Sequence, residues 1–178
     1  MTIDDISQRK VNLACDRDAI LEFHCRINYE SETPYARQIS YNEYREEWAG
    51  SSQPASFLSD LAQTREDDRT IAEVWETGGH IVGYLWMRFT DSLDYDLIVA
   101  ELMDLAVVPE YQRRGIGLKM IKRAEEHARK MGAALLRSDT GIENLASQRL
   151  HEKAEFRPYR ICYEKVLRDK EPAEEIRI

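Results

Sequence analysis

The stretch VPEYQRRGIGLKM, residues 108–120, decides how the rest of the chain is read. Ahead of it stands LIVAELMDLAVV (97–108), an apolar run that predicts a long strand. Behind it, LKMIKRAEEHARKMG (118–132) puts Ile121, Ala124, Ala128 and Met131 on one helical stripe, with Glu125/Arg129 and Glu126/Lys130 as i,i+4 pairs and Gly132 as a C-cap. Between the two lie Pro109, Gln112, Arg113, Arg114 and the glycines Gly115 and Gly117. A strand that ends in a Gly-rich turn opening a helix is a backbone anion site. The first helical N–H groups have no internal partner, and the helix dipole is positive there. Without a Cβ at 115 and 117, a phosphate can approach the main chain. The plainer alternative, glycines placed for tight helix–strand packing, stays open on these residues alone. The run is not a P-loop, because Leu118-Lys119 replaces the Lys-Ser/Thr pair. Nor is it a dinucleotide fingerprint, because Met120 stands where the third glycine belongs.

Working outward, KVNLAC (10–15) predicts a short strand. Asp16 then starts a helix with Ala19, Ile20, Phe23 and Ile27 on one face. Ser40 or Asn42 starts a second helix that ends at Gly50, and residues 54–64 form a third. RTIAEVWE and HIVGYLWMRF are strands joined at Thr77-Gly78-Gly79, a hairpin signal. Residues 91–96 read as a loop, AALLRSD as a strand, NLASQRLHEKA as a helix capped by Asn144, and FRPYRICYEKVL as one or two strands. The expected fold is α/β: one domain over 1–178, with a mixed twisted central sheet, helices on both faces, a core from about residue 8 to 167 and a charged tail, 168–178.

Composition narrows the partners. With 25 Lys plus Arg against 33 Asp plus Glu, the net charge is −8, which argues against nucleic acid or an anionic membrane surface and favours cationic partners. Three cysteines, Cys15, Cys25 and Cys162, form no Cys-x-x-Cys pair. No apolar window is long enough to span a membrane, so a cytoplasmic location is expected. His24, His80 and His127 have no ligand spacing, and no metal is expected. Tyr29, Tyr35, Tyr41, Tyr44 and Trp48 are read as aromatic packing before a substrate cage. Asp91, Asp94 and Asp96 are read as a solvated loop before a cation-binding lip.

LAVVPEYQRRGIG resembles motif A, the acetyl-CoA signature of the GCN5-related N-acetyltransferase (GNAT) superfamily. NLASQRLHEKAEF resembles its second signature, and KVNLACDRDAI its opening strand and helix. The resemblance implies a V-shaped split between the strand ending at Val108 and the strand at 134–139, with the pantetheine arm of acetyl-CoA inside it. Leu105, Ala106 and Val107 would pair with that arm through their backbone. Gln112, Arg113, Arg114, Gly115, Ile116, Gly117 and Leu118 would surround the pyrophosphate, and Asn144 would bond the arm.

Transfer of acetyl to an amine needs a base, because an alkyl amine is mostly protonated at neutral pH. By the resemblance, Glu101 or Asp139 falls at a family base position; both could instead be solvated carboxylates. Asp104 is a third carboxylate, expected on the opposite face from Glu101 because three positions reverse strand parity. His151 stands where the family carries a tyrosine acid. A histidine can do the same work; Tyr159 or Tyr163 could replace it, or no side chain acts. Glu155 replaces a glycine, so the turn there is expected not to need positive φ. SDTGIENLASQRLHEKAEF is also similar to aminoglycoside 6′-N-acetyltransferases, whereas NYESETPYARQ lacks their usual L-W-P segment. The function implied is acetyl-CoA-dependent N-acetylation of a primary amine on a small molecule or peptide, with an aminoglycoside as the specific case. The alternative is a non-catalytic acyl-CoA-binding regulatory domain. The oligomeric state is not fixed by these residues, and a homodimer stays open.

Overall fold

The computed structural model describes residues 5–31, 38–92, 95–165 and 167; Tyr35, Asp94 and the tail 168–178 lie outside them. Along the chain run β1 (Ser7–Lys10), α1 (Leu13–Ser31), α2 (Tyr41–Gly50), α3 (Gln53–Thr64), β2 (Ile71–Thr77), β3 (His80–Ser92), β4 (Leu97–Val107), a 3-10 turn (Pro109–Tyr111), α4 (Ile116–Lys130), β5 (Leu135–Ser138) and α5 (Leu145–Lys153). The sheet order is β1-β2-β3-β4-β5. The pairs are antiparallel except β4–β5, which is parallel. Helices cover both faces. On one side Ile116, Met120, Ile121, Ala124 and Ala128 of α4 pack on Leu85, Met87, Ala100 and Leu102. On the other, Ile20 and Phe23 of α1 and Phe57 and Leu61 of α3 pack on Val74, Tyr84 and Trp86.

The first strand is displaced from its expected place. It spans Ser7–Lys10, and α1 already begins at Leu13, so residues 13–15 are helical. Local hydrogen bonds explain the shift. The Asn12 side chain accepts from the Ala14 N–H, and the Asn12 carbonyl accepts from the Asp16 N–H. Asp16, buried in the first turn, accepts from the Asn12 N–H and from both terminal nitrogens of Arg9. A capping box at Ser40 and Glu43 starts α2, and Tyr44 and Trp48 bury with Cys25. These aromatic side chains therefore serve packing, as expected.

The region after α5 departs further. Among the described residues, 157–165 form no strand and are all exposed, Tyr159 and Tyr163 included. Pro158 removes a ladder donor. The side chain of Arg137 lies over the Tyr159 ring, so this aromatic is used in a cation–π contact. Glu155 adopts φ 63°, so the turn does need the left-handed conformation that glycine usually fills, with a glutamate there instead.

The largest departure is in β4. The β3–β4 register pairs Met87 with Leu102 but Trp86 with Asp104, which leaves Met103 as one extra residue. This bulge resets the alternation. Ala100 and Leu102 face α4, as do Leu105 and Val107 beyond the bulge, while Met103, Ala106 and Val108 pack with the α1 and α3 cluster. Glu101 and Asp104 therefore share the α1/α3 face, contrary to the parity argument.

The Arg9 guanidinium, reinforced by the Asn12 N–H, holds the Asp16 carboxyl below the usual carboxylate range despite its burial. An unfolded aspartate titrates near about 3.9. The stabilisation is therefore complete above that value and is lost as pH falls through the lower folded value. Asp16→Asn should cost about 1–2 kcal/mol at pH 7, a modest figure because Arg9 is 38% exposed. Urea denaturation from pH 7 to pH 3 should show a shallower acid-side loss in this variant than in the wild type.

Candidate acetyl-CoA and acceptor site

The place expected for the split lies where β5 ends at Ser138. β4 and β5 pair from Val99–Leu135 to Leu102–Ser138 and no further, while β3 follows β4 to Val107. Residues 103–107 thus have an edge that β5 leaves unpaired, and Leu105, Ala106 and Val107 all lie on it. The strand then turns through Val108–Gln112 into α4. The Gln112 side chain donates to the Val107 carbonyl at 2.9 Å, so it braces the turn. Arg113 and Gly115 both take left-handed φ, 57° and 84°. Arg114 lies over the Tyr111 ring. Gly115 is the N-cap of α4, and among the described residues no side chain caps this helix, which leaves the N–H groups of Ile116, Gly117 and Leu118 for another acceptor.

The two glycines do different work. Gly115 is required by its backbone angle, and a Cβ there would meet nothing within 4 Å. Gly117 lets α5 come close: a Cβ there would lie 3.0 Å from Cδ2 of Leu150 on α5, which would have to give by a few tenths of an ångström. The plainer alternative raised from the sequence, close packing, accounts for Gly117, and the left-handed φ accounts for Gly115.

On the other side of the split, Asn144 caps α5 by accepting from the Ser147 N–H, and its Nδ2 donates to Glu30 at 3.4 Å. Gly141 packs against the same end of α1, where a Cβ would fall 2.6 Å from the Glu30 carbonyl oxygen. α1 therefore bridges the opening, from β4 at one end to the β5–α5 loop at the other. His151 donates from Nδ1 to the Ser147 carbonyl at 2.8 Å and meets the Phe156 ring edge-on, so Nε2 is the nitrogen left to act.

The carboxylates differ sharply. Glu101 accepts from Arg88 at 3.0 Å and from Thr90 at 3.3 Å, with Arg137 in register on β5. Asp139, just past β5, is exposed and has no hydrogen bond or ion pair among the described residues. Asp91 is paired with Arg69, which takes it out of a cation-binding lip. Asp104 is 2% exposed and meets Nδ1 of His24 at 2.8 Å. The sequence reading treated His24 as one of several scattered histidines. The available signal was its place beside Ile20, Phe23 and Ile27 on the apolar face of α1.

If Gly117 is a packing residue, Gly117→Ala should lower the melting temperature by pressing on Leu150. Leu150→Ala should then relieve the clash, so a double-mutant cycle by thermal melting should show coupling of about 0.5–3 kcal/mol between the two sites.

Comparisons with known proteins agree with this geometry. The fold is similar to a transcriptional regulator from Bacillus halodurans C-125 (18% identity, TM-score 0.65, 91% of this chain and 99% of that one). It is similar to glucosamine-6-phosphate N-acetyltransferase from Arabidopsis thaliana (17%, TM-score 0.60, 92% and 99%). An aminoglycoside acetyltransferase from an uncultured soil metagenomic sample is a further likeness (19%, TM-score 0.61, 92% and 98%). No curated protein matches the sequence. Residues 29–156 match the Acetyltransferase (GNAT) family, a span that contains the split, the left-handed turn and both helices around it. The chain belongs to that family.

Proposed function

We propose that the protein is an acetyl-CoA-dependent N-acetyltransferase for a primary amine of a small molecule or peptide, with a cationic acceptor preferred. One observation carries the reading: the unpaired edge of β4 at 103–107 runs directly into a left-handed turn and an uncapped helix N-terminus. An extended amide-bearing arm fits such an edge, and a pyrophosphate fits such a terminus. Bound there, acetyl-CoA supplies an activated acetyl group as a thioester.

The chain's own residues divide the remaining work. Backbone groups of Leu105, Ala106 and Val107 hold the arm. The N–H groups from Arg113 to Leu118, with the charges of Arg113 and Arg114, hold the pyrophosphate. Asn144 can turn its Nδ2 from Glu30 towards the arm, since 3.4 Å is a long hydrogen bond. His151 donates a proton from Nε2 to the departing sulfur, which requires its imidazolium form because Nδ1 already serves Ser147. Glu101 and Asp139 stand as carboxylates able to accept a proton from the amine. Asp139 has the unengaged oxygens.

A carboxylate at position 115 would oppose the phosphates while tolerating positive φ better than most residues. Gly115→Asp should weaken CoA binding at least tenfold by calorimetry, in a protein that still melts cooperatively. Unchanged affinity would refute the phosphate site.

The net charge of −8 supports the cationic acceptor. Assays with tobramycin, spermidine and an aromatic amine should give the highest kcat/KM for a polycation, falling as salt rises. An aromatic amine that wins without salt dependence would overturn that preference. CoA binding with no release from acetyl-CoA for any amine would favour the regulatory-domain alternative.

A further inference from the structure

The proton acceptor for the amine needs a lone pair at the opening between β4 and β5, and one group there is neither ion-paired at its reactive atom nor remote in solvent. Asp104 sits beside the bulge at Met103, on the α1/α3 face, next to the stretch of β4 that β5 leaves unpaired. Its Oδ2 lies 2.8 Å from Nδ1 of His24, and the carboxylate is 2% exposed against 17% for the imidazole. A carboxylate can only accept, so Nδ1 carries the proton and Nε2 carries the lone pair. Nε2 is 3.2 Å from Nδ2 of Asn28, one turn further along α1, and accepts from that amide.

The ring is held in place from every side. Phe57 of α3 stacks on it at 3.8 Å between centroids and 12° between planes, and Trp48 of α2 lies 6.2 Å away. The charged or titratable groups near it are few. Among the described residues Asp104 is the one in contact. Tyr84 of β3 lies towards Asp104, with its hydroxyl pushed well up by burial and by that carboxylate, so it stays neutral. α2 and α3 present Trp48 and Phe57, which carry no charge.

Position along α1 directs the pair outward. His24 lies over β4, and Glu30 and Ser31 lie over Gly141 beyond β5, so Asn28 falls between them above the opening. The sequence Asp104, His24, Asn28 is therefore a hydrogen-bonded line from the buried sheet face to the split.

Resting on the acetyltransferase reading, we propose that His24, oriented by Asp104, is the catalytic base that takes the proton from the acceptor amine. An ammonium donor makes a stronger hydrogen bond than the Asn28 amide and displaces it from Nε2. One N–H bond breaks and its proton passes to Nε2, giving an imidazolium paired with Asp104. The freed nitrogen lone pair forms the C–N bond to the thioester carbonyl carbon. The C–S bond breaks with its electrons on sulfur, which takes the Nε2 proton of His151; the second amine proton passes to solvent, and solvent reprotonates His151. His24 then returns its proton to water.

His24→Asn is the informative variant, because its amide nitrogen can replace Nδ1 opposite Asp104 while nothing replaces Nε2. It should melt near the wild-type temperature, bind CoA as the wild type does, and lose at least 100-fold in kcat. Asp104→Asn should lose at least tenfold. That loss should fall in kcat, with KM for the amine unchanged. Independently of turnover, 15N NMR of the free protein should show His24 as the Nδ1–H tautomer. Folded His24→Asn with wild-type kcat, or a His24 that carries its proton on Nε2 in the free protein, overturns the proposal. Loss of turnover confined to Asp139→Asn or Glu101→Gln gives the role to that carboxylate. A wild type that binds CoA and transfers to an amine while His24→Asn does the same refutes His24 alone; a wild type that does neither refutes the underlying reading and this proposal with it.

Discussion

Met103 is one residue more than β3 can pair with, and the functional half of the molecule is organised around that surplus. A bulge bends its strand and increases the local twist. Just before it the β4–β5 ladder stops, and just after it β4 presents an edge that β5 does not cover. The same extra residue rotates Asp104 onto the face of Glu101 and brings it against His24 on α1. A β4 without the bulge would place Asp104 among the apolar side chains of α4, where a carboxylate has no partner and a high desolvation cost.

The region around the split is tied together by short contacts. Gly117 lets α5 approach α4 through Leu150, and Gly141 lets the β5–α5 loop approach the end of α1. Asn144 belongs to both sets, capping α5 with one end of its amide and reaching Glu30 with the other. α1, β5 and α5 therefore form a frame around the open edge of β4, with α4 presenting its uncapped N-terminus at the end of that edge. The protein is a member of the acetyltransferase family, and this frame is where the proposed function puts the transfer.

Much of this was legible in the chain. The strand–turn–helix around Gly115 follows from local rules: an apolar run, Pro109, a glycine that tolerates positive φ, then a 3.6-residue apolar period. The hairpin at Gly78-Gly79, the capping box at Ser40 and the Asn144 cap are equally local, since each side chain bonds a backbone within a few residues of itself. The sequence therefore determined the order of elements as far as α5, the glycine-led start of α4 and the family.

What only the tertiary structure decided depends on partners far apart in the chain. The bulge is a mismatch between two strands, and no property of Met103 announces it. The role of Gly117 depends on Leu150, 33 positions away, and that of His24 on Asp104, 80 positions away. Glu101 looked like an open carboxylate until β3 brought Arg88 and Thr90 to it. Local periodicity gives each side chain a face; which group waits on that face is set by register and packing between elements, and a single extra residue in β4 was enough to change it.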